Sequence, residues 1–168
     1  MSSETMSRLT YEDSCRLLKQ LGHLIDDDIP PMPDHRPRYD DDEPLGVNFF
    51  RTFVGEGDLE NLTLPRTYFA KSEVGPISFR NTDFSESTLC WNDFIQVDFT
   101  DCDLSESDLR ASVFNNVKFI RTNLSSTDLR RTTFIECDFT DANMSAAKLT
   151  RIQGSKIQLS DKQNNEID

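Results

Sequence analysis

From residue 49 onward, an apolar residue recurs at every fifth position of the chain. The register holds for twenty-one consecutive positions from Phe49 to Leu149, and ten of the twelve phenylalanines lie in it. Neither an α-helix, at about 3.6 residues per turn, nor a β-strand, at about 2, stays in phase with this spacing. The pattern therefore predicts a chain that turns a corner every five residues and points its apolar positions inward.

A longer period of twenty residues lies over the period of five. The segments VDFTDCDLSESDLRASVFNN, VKFIRTNLSSTDLRRTTFIE and CDFTDANMSAAKLTRIQG align with one another. Four faces of five residues then close one square coil, and about five coils stack at the ~4.8 Å spacing of β-strands. The side chains expected at the centre of the coils are Phe79, Phe84, Leu89, Phe94, Phe99, Leu104, Leu109, Phe114, Phe119, Leu124, Leu129, Phe134, Phe139, Met144 and Leu149.

The individual units have a common form. TDFSE, CDLSE, SDLRA, TNLSS, TDLRR, CDFTD and ANMSA each place Phe, Leu or Met at the centre and a small residue two positions before it, where Asn92 is a polar exception. They resemble the A(D/N)LXX unit of the pentapeptide-repeat family, over about residues 47–149. The resemblance implies an all-β solenoid, a right-handed quadrilateral β-helix. Units before Phe79 keep the register but depart from the consensus, so we expect less regular first coils.

The segments that flank the repeat predict a helix, a linker and a tail. Thr10 followed by Asp13 resembles a capping box, and leucines recur at helical spacing over roughly residues 10–25. Residues 26–43 carry half of the net charge and four of the seven prolines, which predicts an extended linker or an acidic arm that folds onto something. The register ends at Gly154, where we expect the chain to leave the rod. The expected segments are 1–26 (helical cap), 27–46 (acidic Pro-rich linker), 47–159 (β-helix) and 160–168 (tail, a second candidate cap).

Charge and cysteine spacing narrow the class of partner. The chain has 18 Lys+Arg against 30 Asp+Glu and a net charge of -12, which works against direct binding to nucleic acid and favours a basic protein partner. Four cysteines without CxxC spacing and two distant histidines predict neither a metal site nor a disulfide framework. The sequence has no apolar run of membrane-spanning length and no signal-peptide pattern at its start, so we expect a cytoplasmic, membrane-free protein.

The repeat carries no pattern of catalytic residues, and we expect no catalytic, cofactor-binding or metal-binding residue and therefore no enzyme. The remaining candidates lie on the surface, where acids and arginines stack at intervals of twenty residues and a single tryptophan occupies an outward corner. Such a tryptophan is either an interface anchor or tucked under the N-terminal arm. The candidate partner-binding residues are Asp83, Glu86, Trp91, Asp103, Glu106, Asp108, Arg110, Asp128, Arg130 and Arg131.

Three functions fit these observations. The first is a monomeric binding protein that neutralises a basic protein partner, and the family resemblance suggests a bacterial immunity protein against a cognate toxin. The second, which the resemblance also implies, is a DNA mimic that binds DNA gyrase or another type II topoisomerase through its stacked acids. The arginines interrupt that acidity, and the tail lacks an apolar helix for dimerisation. The third is a passive scaffold.

Overall fold

The backbone turns a corner at the fifth position of nearly every unit. Seventeen non-glycine residues within the described part of the chain have φ between 50 and 61°, and they follow the apolar centres by two positions. At Pro76, whose ring excludes a positive φ, the preceding Gly75 has a φ of 113° instead, and the bond between them is cis. The computed structural model describes residues 7–24, 28–50, 52–55, 57–150 and 157–167.

Short parallel strands connect these corners. They form a five-stranded sheet in the order β2-β4-β6-β8-β9 and two-stranded sheets β1-β3 and β5-β7. The predicted β-solenoid is confirmed. The elements are α1 (Tyr11–Gln20), β1 (Asn48–Phe50), β2 (Phe53–Val54), β3 (Tyr68–Ala70), β4 (Glu73–Val74), β5 (Ile77–Ser78), β6 (Asp93–Ile95), β7 (Val97–Asp98), β8 (Val113–Asn115), β9 (Thr133–Ile135) and α2 (Asp161–Glu166).

Every pairing joins residues twenty positions apart, so each coil lies in register on the next. Along one face the partners run from Asn48 to Lys148 in five steps. We name the four faces by their inward centres. Face A has Phe49, Phe69, Leu89, Leu109, Leu129 and Leu149; face B has Val54, Val74, Phe94, Phe114 and Phe134; face C has Leu59, Phe79, Phe99, Phe119 and Phe139; face D has Leu64, Phe84, Leu104, Leu124 and Met144.

The inward centres fill the coil with stacked apolar side chains. On face C the ring centroid of Phe99 lies 5.5 Å from that of Phe79 and 5.6 Å from that of Phe119, in near-parallel pairs. All of the expected core side chains are buried except Phe134 and Leu149, which are half-buried near the C-terminal end. Each buried side chain of this size contributes roughly 1.5–3 kcal/mol, so the stacked core supplies most of the stability of the solenoid.

The small residues before the centres also connect one coil to the next. Thr82 Oγ1 donates to the carbonyl oxygen of Leu59 at 2.9 Å and accepts from the backbone N–H of Leu62 at 3.3 Å. Hydroxyl groups here satisfy backbone groups inside the coil that the ladder does not pair. This is the physical reason that Ser and Thr are abundant at a buried position.

Helix α1 covers the first coil. The side chain of its N-cap, Thr10, accepts from the backbone N–H of Asp13 at 3.1 Å, as the capping pattern predicts. The helix ends at Gln20, earlier than the expected residue 25, because the chain turns at Gly22, where φ is 82°. Leu18 is buried in the core cluster, so the apolar side of the helix closes the rod end that strand edges would otherwise expose.

The acidic arm, residues 28–46, is bound to the rod. Prolines offer no N–H but retain a carbonyl acceptor, and rod side chains donate to these carbonyls. Arg66 donates to the carbonyl of Pro33 at 2.6 Å, and Thr88 donates to that of Pro37. Tyr68 donates to the carbonyl of Tyr39 at 3.2 Å. Of the two forms left open by the sequence, the structure shows the arm folded onto the rod.

Helix α2 covers the last coil. Ser160 and Gln163 form a capping box at its start, and the Gln163 side chain donates to the carbonyl oxygens of Phe139 at 2.7 Å and Ala142 at 3.0 Å. The tail, the second candidate cap, therefore returns to the rod, and it does so as a helix that its low apolar content did not predict. Gly154, the expected end of the register, lies outside the described residues.

Candidate functional site

A groove of about 460 Å³ lies on face A, immediately beside the docked arm. Tyr39 of the arm forms one side of the groove, and the remaining lining residues come from four successive coils. Trp91, Arg110, Arg130 and Arg131, which are candidates from the sequence pattern, meet here. The residues that line the groove are Tyr39, Cys90, Trp91, Arg110, Ala111, Arg130, Arg131 and Thr150.

Two exposed aromatic rings mark the edge of the groove. Trp91 occupies a corner with φ of 56° and is 43% exposed, while Tyr39 is 46% exposed. Their ring centroids are 5.7 Å apart in an edge-to-face arrangement. The Nζ of Lys71 lies 5.7 Å from the Trp91 ring centroid, and the guanidinium of Arg110 lies 5.3 Å from that of Tyr39. Trp91 thus contacts the arm without being covered by it.

The arginines of the floor are held by aspartates of the same unit. Arg110 donates to both carboxylate oxygens of Asp108 at 2.8 and 2.7 Å, and Arg130 donates in the same way to Asp128 at 2.8 and 2.7 Å. Paired geometry of this kind fixes the planes of the guanidinium groups. These ion pairs also cancel most of the charge of Arg110 and Arg130. For Arg131, the third arginine of the groove, the described residues show no ion pair.

Burial and hydrogen bonding shift the pKa values of two groups at the floor. Burial alone raises the pKa of Asp108, but hydrogen bonds from the side chain and backbone of Arg110 outweigh it, and the pKa lies below its usual value. Burial, together with the nearby carboxylate of Asp108, holds the pKa of the Cys90 thiol far above its usual range. The thiol is therefore protonated near neutral pH and is a poor nucleophile.

The described residues show no arrangement for a metal ion or a membrane span. No three His, Cys, Asp or Glu side chains lie close enough to hold a metal within these ranges. No helix in the described part of the chain is long and apolar enough to cross a membrane.

The repeat has a recognised family. The family model for pentapeptide repeats matches residues 77–110 and 112–151, in 8 copies. Residues 77–151 therefore consist of pentapeptide repeats, as the sequence pattern predicts. No curated protein matches it by sequence.

Solved pentapeptide-repeat proteins are similar to the chain in structure. One from the thylakoid lumen of Arabidopsis thaliana is 24% identical, covers 68% of this chain and 72% of its own, and has a TM-score of 0.34. Rfr23 from the cyanobacterium Cyanothece 51142 is 8% identical, covers 62% and 85%, and has a TM-score of 0.33. A trypsin-treated variant of QnrB1, a plasmid-mediated fluoroquinolone resistance protein, is 17% identical, covers 62% and 72%, and has a TM-score of 0.30. Similarity at this level carries no argument about function.

The pentapeptide motif accounts for the column of aspartates on face D. Asp83 and Asp103 each accept, at 2.9 Å, from the backbone N–H two residues further on, in Ser85 and Ser105. Asn123, one coil beyond, makes the same bond at 3.1 Å. Since an amide replaces the carboxylate here, the acids serve the turn of the repeat, and they lie outside the groove.

Glu86 and Glu106 lie on the corner between faces D and A, along the other border of the arm. The carboxylate of Glu86 is 3.4 Å from Nε of Arg66, and the backbone carbonyl of Glu106 accepts from Arg36 at 2.7 Å. These glutamates flank the site at which the arm is attached. The structure therefore separates the predicted acids of face D and its corner from the predicted partner-binding residues that line the groove.

Sequence reasoning missed four residues of the groove, Tyr39, Cys90, Ala111 and Thr150. Tyr39 is the only Tyr, Phe or Trp of the acidic arm, between Arg38 and a run of aspartates. An isolated aromatic residue in a charged, Pro-rich segment is a signal for docking, although it does not identify the face. The other three follow from the period of twenty once Trp91 and Arg110 are placed.

Proposed function

We propose that this chain is a non-enzymatic protein-binding module that neutralises a basic protein partner, such as a cognate bacterial toxin. One observation carries the proposal. The arm is hydrogen-bonded to the rod through its backbone, while the side chains of residues 40–43, three aspartates and a glutamate, remain exposed beside the Tyr39–Trp91 pair. An ordered acidic surface next to exposed aromatic rings is suited to a partner of opposite charge.

The docked arm lowers the cost of binding. A free acidic segment loses conformational entropy when a partner orders it. This arm is already ordered, because the side chains of Arg66, Tyr68 and Thr88 donate to its backbone carbonyls. The exposed carboxylates speed the encounter with a basic surface. The groove then receives an apolar side chain of the partner beside Arg110 and Arg130, because Asp108 and Asp128 largely cancel the charges of these two arginines.

The DNA-mimic hypothesis has less support from the same geometry. A phosphate-like track needs a carboxylate in every coil, but the column of Asp83 and Asp103 continues as Asn123 and Asn143. The second column, on face A, holds its aspartates in ion pairs with arginine. A topoisomerase supercoiling assay remains the direct test, and inhibition by the wild-type protein would favour that hypothesis over ours.

Charge-matched variants test the proposal. The arm variant carries D40N, D41N and D42N. The column variant carries D83N and D103N of the face D column together with D98N of face C, and asparagine preserves the bond to the turn at these positions as it does at Asn123. The partner is isolated on immobilised wild-type protein, identified by mass spectrometry, purified and titrated against each variant by calorimetry. We expect the arm variant to bind about tenfold more weakly and the column variant to bind as wild type does.

A tryptophan variant tests the groove in the same assay. Ala111, one coil further along the same corner, and Ala146, at the equivalent position of another corner, adopt φ of 59 and 56°, so Trp91→Ala removes the ring without new backbone strain. We expect a loss of about thirtyfold in affinity, the size of a central interface residue. An unchanged affinity in both the arm variant and Trp91→Ala would refute the proposal.

A further inference from the structure

The exposed large apolar side chains of the rod are concentrated on one side. Phe53, Ile95 and Ile135 project from face B and are 62, 46 and 43% exposed. Phe50 and Trp91 border that face from face A and its corner, at 45 and 43%. Among the described residues, faces C and D carry no large apolar side chain that is as exposed. The repeat itself does not require this asymmetry, since its outward positions are elsewhere polar.

Face B also differs in its backbone. It carries the five-stranded sheet, whereas most pairings on the other faces are isolated bridges. On the other faces, Asp or Asn before the centre accepts from the N–H two residues on, as at Asp98 and Asp138. On face B the same position holds Glu73, Asp93 and Val113, for which the described residues show no such bond. The result is a face on which the extended backbone pairs from coil to coil through all five strands.

The charge of this surface is negative. Within the described residues, the outward positions between the two corners of face B contain Glu73 and Asp93, for which no ion pair is seen, and contain no Lys or Arg. Lys71 and Arg131 lie at the corner that face B shares with face A, where Lys71 is 5.7 Å from the Trp91 ring centroid. Two copies of the chain joined through face B would bring these carboxylates together, on molecules that each carry a net charge of -12. An apolar surface with uncompensated acids instead complements an apolar patch rimmed by lysine and arginine.

We infer that face B is a second contact surface for a basic protein, continuous with the groove across Trp91, and that the partner presents to it an apolar patch with a basic rim. The inference rests on the proposed function, because it takes the same partner. It adds the surface of β4, β6, β8 and β9 to the contact made by the arm and groove. The partner then lies over two adjacent faces of the rod and leaves faces C and D in solvent.

Site-specific photo-cross-linking tests this arrangement. The photoreactive residue p-benzoylphenylalanine replaces Ile95 on face B, Tyr39 at the groove, or Thr140, which holds on face C the position that Ile95 holds on face B. Each purified full-length protein is illuminated in an extract of the source organism. The cross-linked protein is identified by mass spectrometry, and its affinity is then measured with the purified partner.

We expect the same basic protein to be cross-linked from positions 95 and 39 and not from position 140. Replacing the face B acids with lysine in E73K/D93K should lower the affinity for the purified partner about tenfold. The E136K control, at the far corner of the face, should lower that affinity less. Cross-linking from position 39 alone would overturn the inference and leave the proposed function standing. Cross-linking from neither position would overturn both, and an adduct of two copies of this chain, or equal yields from 95 and 140, would overturn the inference.

Discussion

The side chain of Asn92 bridges two coils inside the rod, and its removal should be costly. It is 1% exposed at the small position of its unit, where its Nδ2 donates to the carbonyl of Phe69 at 2.7 Å. Its Oδ1 accepts from the backbone N–H of Ser72 at 3.0 Å. Asn92→Ala leaves the buried carbonyl of Phe69 and the buried N–H of Ser72 without this hydrogen-bond partner. At roughly 1–3 kcal/mol for each unsatisfied group, the free energy of unfolding should fall by roughly 2–6 kcal/mol.

A serine variant separates hydrogen bonding from loss of volume. In the next coil, Ser112 holds the equivalent position and donates to the carbonyl of Leu89 at 3.0 Å, while its hydroxyl accepts from the N–H of Asn92 at 3.1 Å. Asn92→Ser can make both bonds, and it differs from Asn92→Ala by one oxygen atom. We therefore expect the serine variant to be the more stable of the two by about 2 kcal/mol.

Thermal and urea unfolding, followed by circular dichroism, measure the difference. For a chain of this length, 2 kcal/mol corresponds to a shift in Tm of roughly 4–8 °C. Asn115→Ala is the control, because its side chain is bonded at the surface to that of Asn116. Equal stability of Asn92→Ala and Asn92→Ser would refute the argument, since it would mean that packing alone decides this position.

Three further predictions concern the backbone, the C-terminal end and pH. Gly75→Ala should cost roughly 3 kcal/mol or more, because its Cβ would lie 1.8 Å from a backbone carbonyl oxygen, whereas Gly57→Ala, at a similarly positive φ with nothing within 4 Å, should cost about 1 kcal/mol in urea unfolding. Gln163→Ala should lower Tm by several degrees and increase hydrogen exchange first in the last coil, since two carbonyls lose their donor. The pKa of Asp108 is lower in the folded chain, so its stabilising contribution is complete above about pH 4 and is lost as the pH falls towards the folded-state value. Asp108→Asn should therefore reduce stability at pH 7 and flatten the fall in Tm below pH 4, and an unchanged acid profile would contradict this.

The solenoid was predictable because its signal is local and repeated. Phe99, Phe119 and Phe139 recur at twenty residues, and each stacks on the next within the core. The start of α1 was equally predictable from Thr10, because its side chain caps the helix by accepting from Asp13 in the first turn. Its end was not, since the apolar spacing continues beyond Gly22 while the backbone turns there. Helix α2 was missed although the Ser160 capping box is local, because its apolar content is low and its contact with the last coil is not local.

The groove was only partly predictable. The period of twenty places Arg110 beneath Arg130 and brings Trp91 to the same side, so the spacing of these residues is enough to select them. The same spacing does not show that Asp108 forms an ion pair with Arg110. It also does not attach Tyr39, which comes from a segment without any repeat and reaches Trp91 only through the path of the arm.

The sequence by itself determined the coil, its four faces and the residues that point inward, because a period of five restricts the backbone to one way of burying its apolar positions. The tertiary structure decided where the non-repeating segments lie. Both ends of the rod and face A could each have accepted the helix, the arm or the tail. The choice depends on individual bonds between distant residues, such as Thr88 to Pro37 and Gln163 to Phe139. Such contacts leave no periodic signal in the chain, and they are what shape the proposed binding surface.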